Sequence, residues 1–213
     1  MENLREWHKE RMMERTVKAL LSNYFDAHFF TDRTSLLESI MYHVYPGMTI
    51  GIGGSLSIRG IGLLENLAQI DVEVLDHWKQ GLTKEDIDVI RLAQLTCDLF
   101  LSSANAITEK GDIVNIDGSG KRVNAMTFGP KKVISIAGYK KITPDISSAL
   151  DRIKRIAAPL NAKRLNMPLP CAETGYCHDC KVEARICRIT SIIQRRPIGT
   201  NISVYLINEE LGL

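Results

Sequence analysis

The sequence predicts an α/β fold, with a Rossmann-like, mainly parallel sheet and helices on both faces. Segments of strand composition alternate with segments of helical period through most of the chain, as in repeated βα units. The apolar runs 99–101 and 133–137 have the length and composition of strands. A glycine-rich turn follows the strand-like residues 48–52. Together these patterns favour a sheet whose ligand-binding loops follow its strands.

The elements are predicted from apolar periodicity and from capping residues. Thr83 precedes a helix with early acids, and Thr31 or Asp32 is suited to cap the helix 35–44. Pro159 and the residues after it are expected to end a helix and begin a linker. The predicted strands are 27–30, 48–52, 72–78, 99–101, 133–137 and 202–207, and the predicted helices are 2–25, 35–44, 61–67, 83–95 and 144–157.

The composition is typical of a soluble globular protein. The chain has 213 residues, 45% hydrophobic and 24% charged, with a formal net charge of +2. This small charge gives no general case for nucleic-acid binding, and no apolar run reaches the length of a membrane span. The charged N-terminus lacks the apolar core of a signal peptide, so we expect a cytoplasmic protein. An amphipathic N-terminal helix makes a homodimer a reasonable expectation.

The segment between the strands 99–101 and 133–137 is more polar than a connection requires. The dipeptide Asp117–Gly118, between the apolar residues 113–116 and the residues that follow Arg122, predicts a hairpin turn. We interpret the segment as the floor of a small-molecule site. Its candidate ligand-binding residues are Asn105, Asp112, Asn115, Asp117 and Asn124.

A second candidate binding element is the glycine-rich turn after the strand 48–52. Its residues Gly51, Gly53 and Gly54 allow close approach of the backbone to a ligand, and Ser55 adds a hydroxyl before a helix N-terminus. The turn is therefore a candidate cradle for a phosphate or carboxylate. Glycine is equally required for close packing of a helix on a strand, so both interpretations remain open.

His77 and Trp78 fall at the predicted carboxyl end of a strand, where open α/β sheets bind ligands. A histidine in this position serves either in catalysis or in a local hydrogen bond.

Four of the five cysteines lie within seventeen residues, as Cys171, Cys177, Cys180 and Cys187. The CxxC pair at 177–180 has the spacing of a metal-binding knuckle, and the outer two cysteines can complete a four-thiolate site. The spacing favours an iron–sulfur cluster, such as 4Fe-4S, over zinc, because only one knuckle is present. A redox-active thiol pair or unliganded thiols are the alternatives.

Three stretches, 48–64, 103–112 and 128–133, resemble the lactate-utilisation or LUD domain. The cysteine segment and the final residues VYLINEELGL resemble a subgroup with a cysteine-rich C-terminal extension. The resemblance implies the fold shared by ribose-5-phosphate isomerase and CoA transferases. It divides the chain into a LUD-type domain, 1–160, and a cysteine-rich extension, 161–213, whose final strand returns to the domain.

The resemblance also implies a function. The chain is expected to bind a small anionic metabolite and to take part in lactate-like organic-acid oxidation, with iron–sulfur oxidoreductase subunits as partners. Within the wider fold, residues 108–111 are similar to the Ser-Glu-x-Gly motif of CoA transferases, which makes Glu109 the candidate nucleophile or general base. The alternatives are a non-redox isomerase or acyl transferase that uses Glu109, and a non-catalytic subunit of an iron–sulfur oxidoreductase.

Overall fold

The computed structural model describes residues 1–213 and contains ten strands and nine α-helices. The strands are β1 (Asp26–Phe30), β2 (Thr49–Ile52), β3 (Glu73–Leu75), β4 (Leu99–Ser102), β5 (Ala106–Thr108), β6 (Ile113–Asp117), β7 (Lys132–Gly138), β8 (Ile142–Thr143), β9 (Ile189–Ile193) and β10 (Asn201–Ile207). The helices are α1 (Glu2–Ser22), α2 (Arg33–Met41), α3 (Leu56–Arg59), α4 (Leu63–Leu67), α5 (Lys84–Ala93), α6 (Lys121–Thr127), α7 (Ile146–Arg152), α8 (Ala158–Arg164) and α9 (Pro170–Thr174).

Six strands form a parallel central sheet in the order β1-β10-β7-β4-β2-β3. Alternate side chains point to opposite faces of the sheet. Phe100 belongs to the apolar core on the face of α1, whereas Leu99 and Leu101 belong to the core on the face of α2. Helices therefore cover both faces, which confirms the predicted Rossmann-like α/β class.

A smaller sheet of four strands, in the order β8-β5-β6-β9, lies beside the central one. The strands β5 and β6 form an antiparallel hairpin, and β9 pairs with the free edge of β6. This sheet was not predicted, because β5 and β8 have three and two residues and leave almost no periodicity to detect. Since β9 follows the cysteine-rich segment, it attaches that segment to the rest of the protein.

The predicted helix starts agree with the structure. The side chain of Asp32 accepts a hydrogen bond from the backbone N–H of Ser35, and Thr83 and Asp86 form a reciprocal capping box at the start of α5. The predicted helix 61–67 is shorter than expected and occurs as α4, which Gly62 precedes in a left-handed conformation with φ +74°. No helix is both long and apolar enough to cross a membrane.

The predicted hairpin at Asp117–Gly118 is wrong. The strand β6 ends at Asp117, but the following residues form α6 rather than a second arm. The Asp117 carboxylate accepts hydrogen bonds from the backbone N–H groups of Ser119 and Gly120, and this turn leads the chain into a helix. Val123, Ala125 and Met126 are then buried on one side of α6, so packing determines the outcome.

The predicted helix end at Ala158–Pro159 is also wrong. After α7 the chain makes a π-helical turn, Ile153–Ala157, and continues as α8 to Arg164. Pro159 lies just after the π-helical turn, where the backbone hydrogen-bond pattern already departs from that of a regular α-helix. Residues 161–164, predicted to begin a linker, are therefore helical.

We expect Gly129→Ala to destabilise the protein much more than Gly81→Ala. Both glycines have positive φ, +128° and +83°, so both substitutions strain the backbone. A Cβ at Gly129 would lie 2.1 Å from the carbonyl oxygen of Leu95, whereas nothing lies within 4 Å of one at Gly81. Urea unfolding should show an additional loss of at least about 2 kcal/mol for Gly129→Ala. Equal losses would contradict the packing described here.

Candidate functional site

A cavity of about 350 Å³ lies where several strands of the two sheets end. We call it the basic cavity. Its walls are residues 54–57 after β2, 77–78 after β3, 103–105 after β4, 116–119 and 121–122 around the end of β6, and Lys141 after β7. The π-helical turn and α8 close one side through Ile153, Ala157 and Arg164. Ligands of open parallel sheets bind at this edge, so the cavity is the candidate ligand site.

Four of the predicted ligand-binding residues line the basic cavity, namely Gly54, Ser55, Asn105 and Asp117. A Cβ at Gly54 would lie 3.0 Å from the Trp78 ring, so glycine is required for the ring to close over the turn. The hydroxyl of Ser55 accepts a hydrogen bond from the backbone N–H of Ile58 and caps α3. Two separate βα loops therefore contribute to one site.

Gly51 and Gly53 serve packing and do not line the cavity. A Cβ at Gly51 would lie 2.9 Å from the Cys97 sulfur, and one at Gly53 would lie 2.9 Å from the Ser102 hydroxyl. Close packing therefore accounts for Gly51 and Gly53, whereas Gly54 both packs against Trp78 and lines the cavity.

Three further predicted ligand residues lie outside the basic cavity. Asn115 is fully buried, and its side-chain oxygen accepts a hydrogen bond from the backbone N–H of Asn105. Asp112 is bonded to the Thr108 hydroxyl at 2.6 Å, next to a small polar depression. Asn124 is exposed on α6. Asn115 supports the site by holding Asn105, which lines it.

Glu109 is not brought together with the glycine turn. It lies in the tight turn between β5 and β6, where its carboxylate forms an ion pair with Arg15 of α1 at 2.9 Å. It is absent from the lining of the basic cavity. The candidate nucleophile or general base therefore lies outside the cavity that the glycine turn lines.

Basic side chains dominate the cavity instead, and sequence reasoning did not identify them. The lining contains five of them and a single acidic one, Asp117. Asp117 already pairs with Arg122 at 3.5 Å. The basic residues are Arg91, Lys121, Arg122, Lys141 and Arg164. Each comes from a different element or turn, except for the adjacent pair 121–122, so no local motif signals the cluster.

Lys141 is almost fully buried at the base of the cavity. Its amine donates hydrogen bonds to the hydroxyls of Ser57 and Ser103 and to the carbonyl oxygen of Ala104, at 3.0, 2.8 and 3.2 Å. Burial, together with the positive charges of Arg152 and Arg122, lowers the pKa of Lys141 to about 7. No carboxylate is among the hydrogen-bond partners of this amine.

His77 and Lys121 contact each other in the wall of the cavity. Burial is the largest cause that lowers the pKa of His77 to about 4, and the charge of Lys121 is the next. Burial likewise lowers the pKa of Lys121 to about 7, with Arg91 adding repulsion. Both groups therefore resist protonation until a negative charge arrives.

Trp78 lies between two guanidinium groups. Arg59 and Arg164 approach its ring at 4.7 and 4.6 Å from the centroid, which is favourable for cation–π contacts. The charge of Arg59 is compensated by Asp76, because the Nη2 group of Arg59 donates to both carboxylate oxygens of Asp76. Arg164 hydrogen-bonds only to the Asn161 side chain, so its positive charge faces the cavity without a carboxylate partner.

Of the four clustered cysteines, Cys171 lies in α9 and the other three lie between α9 and β9, and none forms a disulfide. Burial raises the pKa of Cys171 and Cys187, and nearby thiols raise both further: Cys180 and Cys177 act on each, and Cys171 also acts on Cys187. The four sulfurs therefore share one neighbourhood. Cys187 also lines the basic cavity. The fifth, Cys97, is buried beneath Gly51 and hydrogen-bonds to backbone carbonyls.

The four thiols of the cysteine segment are not arranged around one point in this structure. No three His, Cys, Asp or Glu side chains lie close enough together to hold a metal ion. The backbone N–H of Asp179 points at the Cys177 sulfur at 3.4 Å, and Asp179 has φ +47°. Such N–H···S contacts orient and stabilise thiolate ligands. Arg185 donates to the carbonyl oxygens of Cys180 and Cys187 and holds the two ends of the loop together.

A family model of the LUD domain matches residues 13–207. The chain therefore belongs to the LUD domain family, which confirms the resemblance found in the sequence. No curated protein sequence matches the chain.

Among solved structures, the fold is similar to that of a DUF162 family protein from Deinococcus radiodurans. The two are 11% identical, with a TM-score of 0.52 over 93% of this chain and 98% of the other. This likeness supports the fold alone. A weaker match, to eIF2B beta from Chaetomium thermophilum, has 12% identity and a TM-score of 0.37 over 55% of this chain and 44% of the other.

We expect the buried amine of Lys141 to make stability rise with pH above neutrality. Its pKa is about 7 in the folded protein and about 10.5 when exposed, so between these values the unfolded chain binds more protons. Folding is then favoured as pH increases, by at most about 1.4 kcal/mol per pH unit. Lys141→Met should reduce this slope in urea unfolding between pH 7 and 10. The exposed control Lys79→Met should leave it unchanged, and equal slopes in all three proteins would contradict the assignment.

Proposed function

We propose that the basic cavity binds a small anionic metabolite of the carboxylate class. The main support is the excess of positive charge in its lining. Five basic side chains line the cavity, together with one acidic side chain that is already paired. Arg91 pairs with Asp88 and Arg122 with Asp117, which leaves Lys121, Lys141 and Arg164 without a carboxylate partner. Burying unpaired positive charge is costly for a protein. A bound carboxylate offsets that cost, and the guanidinium groups of Arg91, Arg122 and Arg164 offer the geometry that it prefers.

We propose further that the ligand is a lactate-like organic acid. Membership of the LUD family supports this class of substrate, as does the size of the cavity, which at about 350 Å³ accommodates a small metabolite. Trp78 and the apolar wall of Ile153 and Ala157 offer contacts for the uncharged part of the molecule.

The cysteine segment is proposed to hold an iron–sulfur cluster, with zinc as the alternative. The support is the shared neighbourhood of four thiols and the N–H···S contact at Cys177. Cys171, Cys177, Cys180 and Cys187 would be the ligands, and a cluster there would supply one-electron transfer. Because Cys187 also lines the basic cavity, the organic acid and the thiol site would be neighbours, as an oxidation requires.

The alternative of an isomerase or acyl transferase that uses Glu109 receives no support from the geometry, because Glu109 pairs with Arg15 away from the basic cavity. Docking on an iron–sulfur oxidoreductase remains compatible with the proposed function, as a partner that would accept the electrons.

We expect Arg164→Gln to weaken binding of pyruvate and of inorganic phosphate by roughly tenfold or more, since a charge-assisted hydrogen bond contributes about 1.5–3 kcal/mol. Isothermal titration calorimetry measures the change. The matched control is Arg155→Gln, because Arg155 is exposed and pairs with Asp151. Equal affinities in the two variants, or no binding by the wild type, would count against an anion site in the basic cavity.

We expect anaerobically purified protein to contain iron and acid-labile sulfide and to absorb broadly in visible light. The double variant Cys177→Ser, Cys180→Ser should lose both iron and colour, because it removes half of the proposed ligands. Cys97→Ser should keep them, since Cys97 packs under the central sheet. Stoichiometric zinc in a colourless protein would indicate a zinc site instead of a cluster. A protein with neither metal would refute the proposed metal site.

A further inference from the structure

Two lysines reach the basic cavity, and their surroundings differ. The amine of Lys141 is enclosed by three hydrogen-bond acceptors and is only 4% exposed with its residue. The amine of Lys121 contacts a single group, the Nε2 atom of His77, and its residue is partly exposed. Only Lys121 therefore presents an amine that a ligand in the cavity can reach.

The buried amide of Gln94 determines which nitrogen of His77 carries the proton. The side-chain NH₂ group of Gln94 donates its two hydrogens to the backbone carbonyl oxygens of Ile52, at 2.9 Å, and Leu75, at 2.7 Å. The same NH₂ group lies 3.1 Å from Nδ1 of His77. A proton on Nδ1 would face another donor at that distance, which is unfavourable. The neutral ring therefore carries its proton on Nε2, the atom that faces Lys121.

This tautomer of His77 determines the protonation state of Lys121. A hydrogen on Nε2 of His77 needs an acceptor, and the contacting amine can accept only through a free lone pair, that is, as neutral NH₂. The positive charge of Arg91 in the same wall also disfavours an ammonium ion there, although Asp117 acts in the opposite sense. The cavity thus contains a neutral primary amine beside guanidinium groups.

We propose that Lys121 forms an imine with the carbonyl group of a 2-oxo acid bound in the basic cavity. A neutral lysine amine is nucleophilic toward carbonyl carbon, and the neighbouring guanidinium groups suit the carboxylate. The Nζ atom forms a bond to the carbonyl carbon, and the carbon–oxygen bond breaks. The oxygen leaves as water with the two hydrogens that the amine loses, so no oxidant or reductant is needed.

His77 has a positioning role in this step. Once the lone pair of Lys121 is engaged with carbon, the Nε2–H of His77 is free to donate to the oxygen on which negative charge develops. The proposal rests on the proposed function in one respect: a carboxylated metabolite must bind in the cavity. The imine proposal goes beyond the proposed function because it names the reactive residue and requires a carbonyl group next to the carboxylate.

The test is reductive trapping in the wild-type protein, which avoids any question of misfolded variants. Protein incubated with pyruvate and cyanoborohydride should gain the mass of one reduced adduct, and peptide mapping should place it on Lys121. Lys121→Arg should abolish this adduct, and His77→Asn should slow its formation several-fold. An adduct found only on Lys141 or on exposed lysines, or no adduct, would overturn the proposal.

A parallel titration separates this proposal from the proposed function. L-Lactate carries the carboxylate but no carbonyl, so it should bind and raise the melting temperature without forming an adduct. Binding of lactate and pyruvate with no trapped adduct refutes the imine while leaving the anion site intact. If neither compound binds, the proposed function fails first, and the imine with it.

Discussion

The hydrogen bonds of a single buried amine join the segments that line the basic cavity. Lys141 follows β7, and its three acceptors belong to the segments that follow β2 and β4. These are three adjacent strands of the central sheet. The loops around the basic cavity therefore have a fixed spacing that does not depend on a ligand. Because a buried hydrogen-bonding group is costly to leave unsatisfied, the three segments are expected to move as a unit.

The same arrangement concentrates positive charge. Burial lowers the pKa of Lys121 and of Lys141, and nearby guanidinium groups lower both further. A fold that only needed stability would place apolar side chains here. Unfavourable local electrostatics of this kind are typical of functional sites, where a ligand supplies the missing charge. The wall of the same cavity also contains the stack of Arg164 on Trp78 and the π-helical turn, an irregular element.

The cysteine-rich segment is joined to the fold at both of its ends. On one side, α8 and α9 lead out of the cavity wall, and on the other, β9 completes the smaller sheet before β10 enters the middle of the central sheet. A Cβ at Gly118 would lie 2.9 Å from the carbonyl oxygen of Ile186, so the segment packs tightly on the turn after β6. The cysteine segment and the wall of the basic cavity are thus in direct contact through Ile186 and Gly118.

The sequence by itself determined the fold class, the six central strands apart from their exact ends, and the candidate status of Gly54, Ser55, Asn105 and Asp117. These features depend on local patterns: apolar runs, capping residues, and polar residues placed just after strands. Tertiary structure alone decided the rest. It made a helix of residues 121–127, it carried the chain through Pro159, and it placed Glu109 against Arg15 rather than in the pocket. It also assembled the five basic residues of the cavity. Residues 91, 121, 141 and 164 are far apart in the sequence, so only the convergence of loops at one edge of a parallel sheet, which propensity does not encode, brings their charges together.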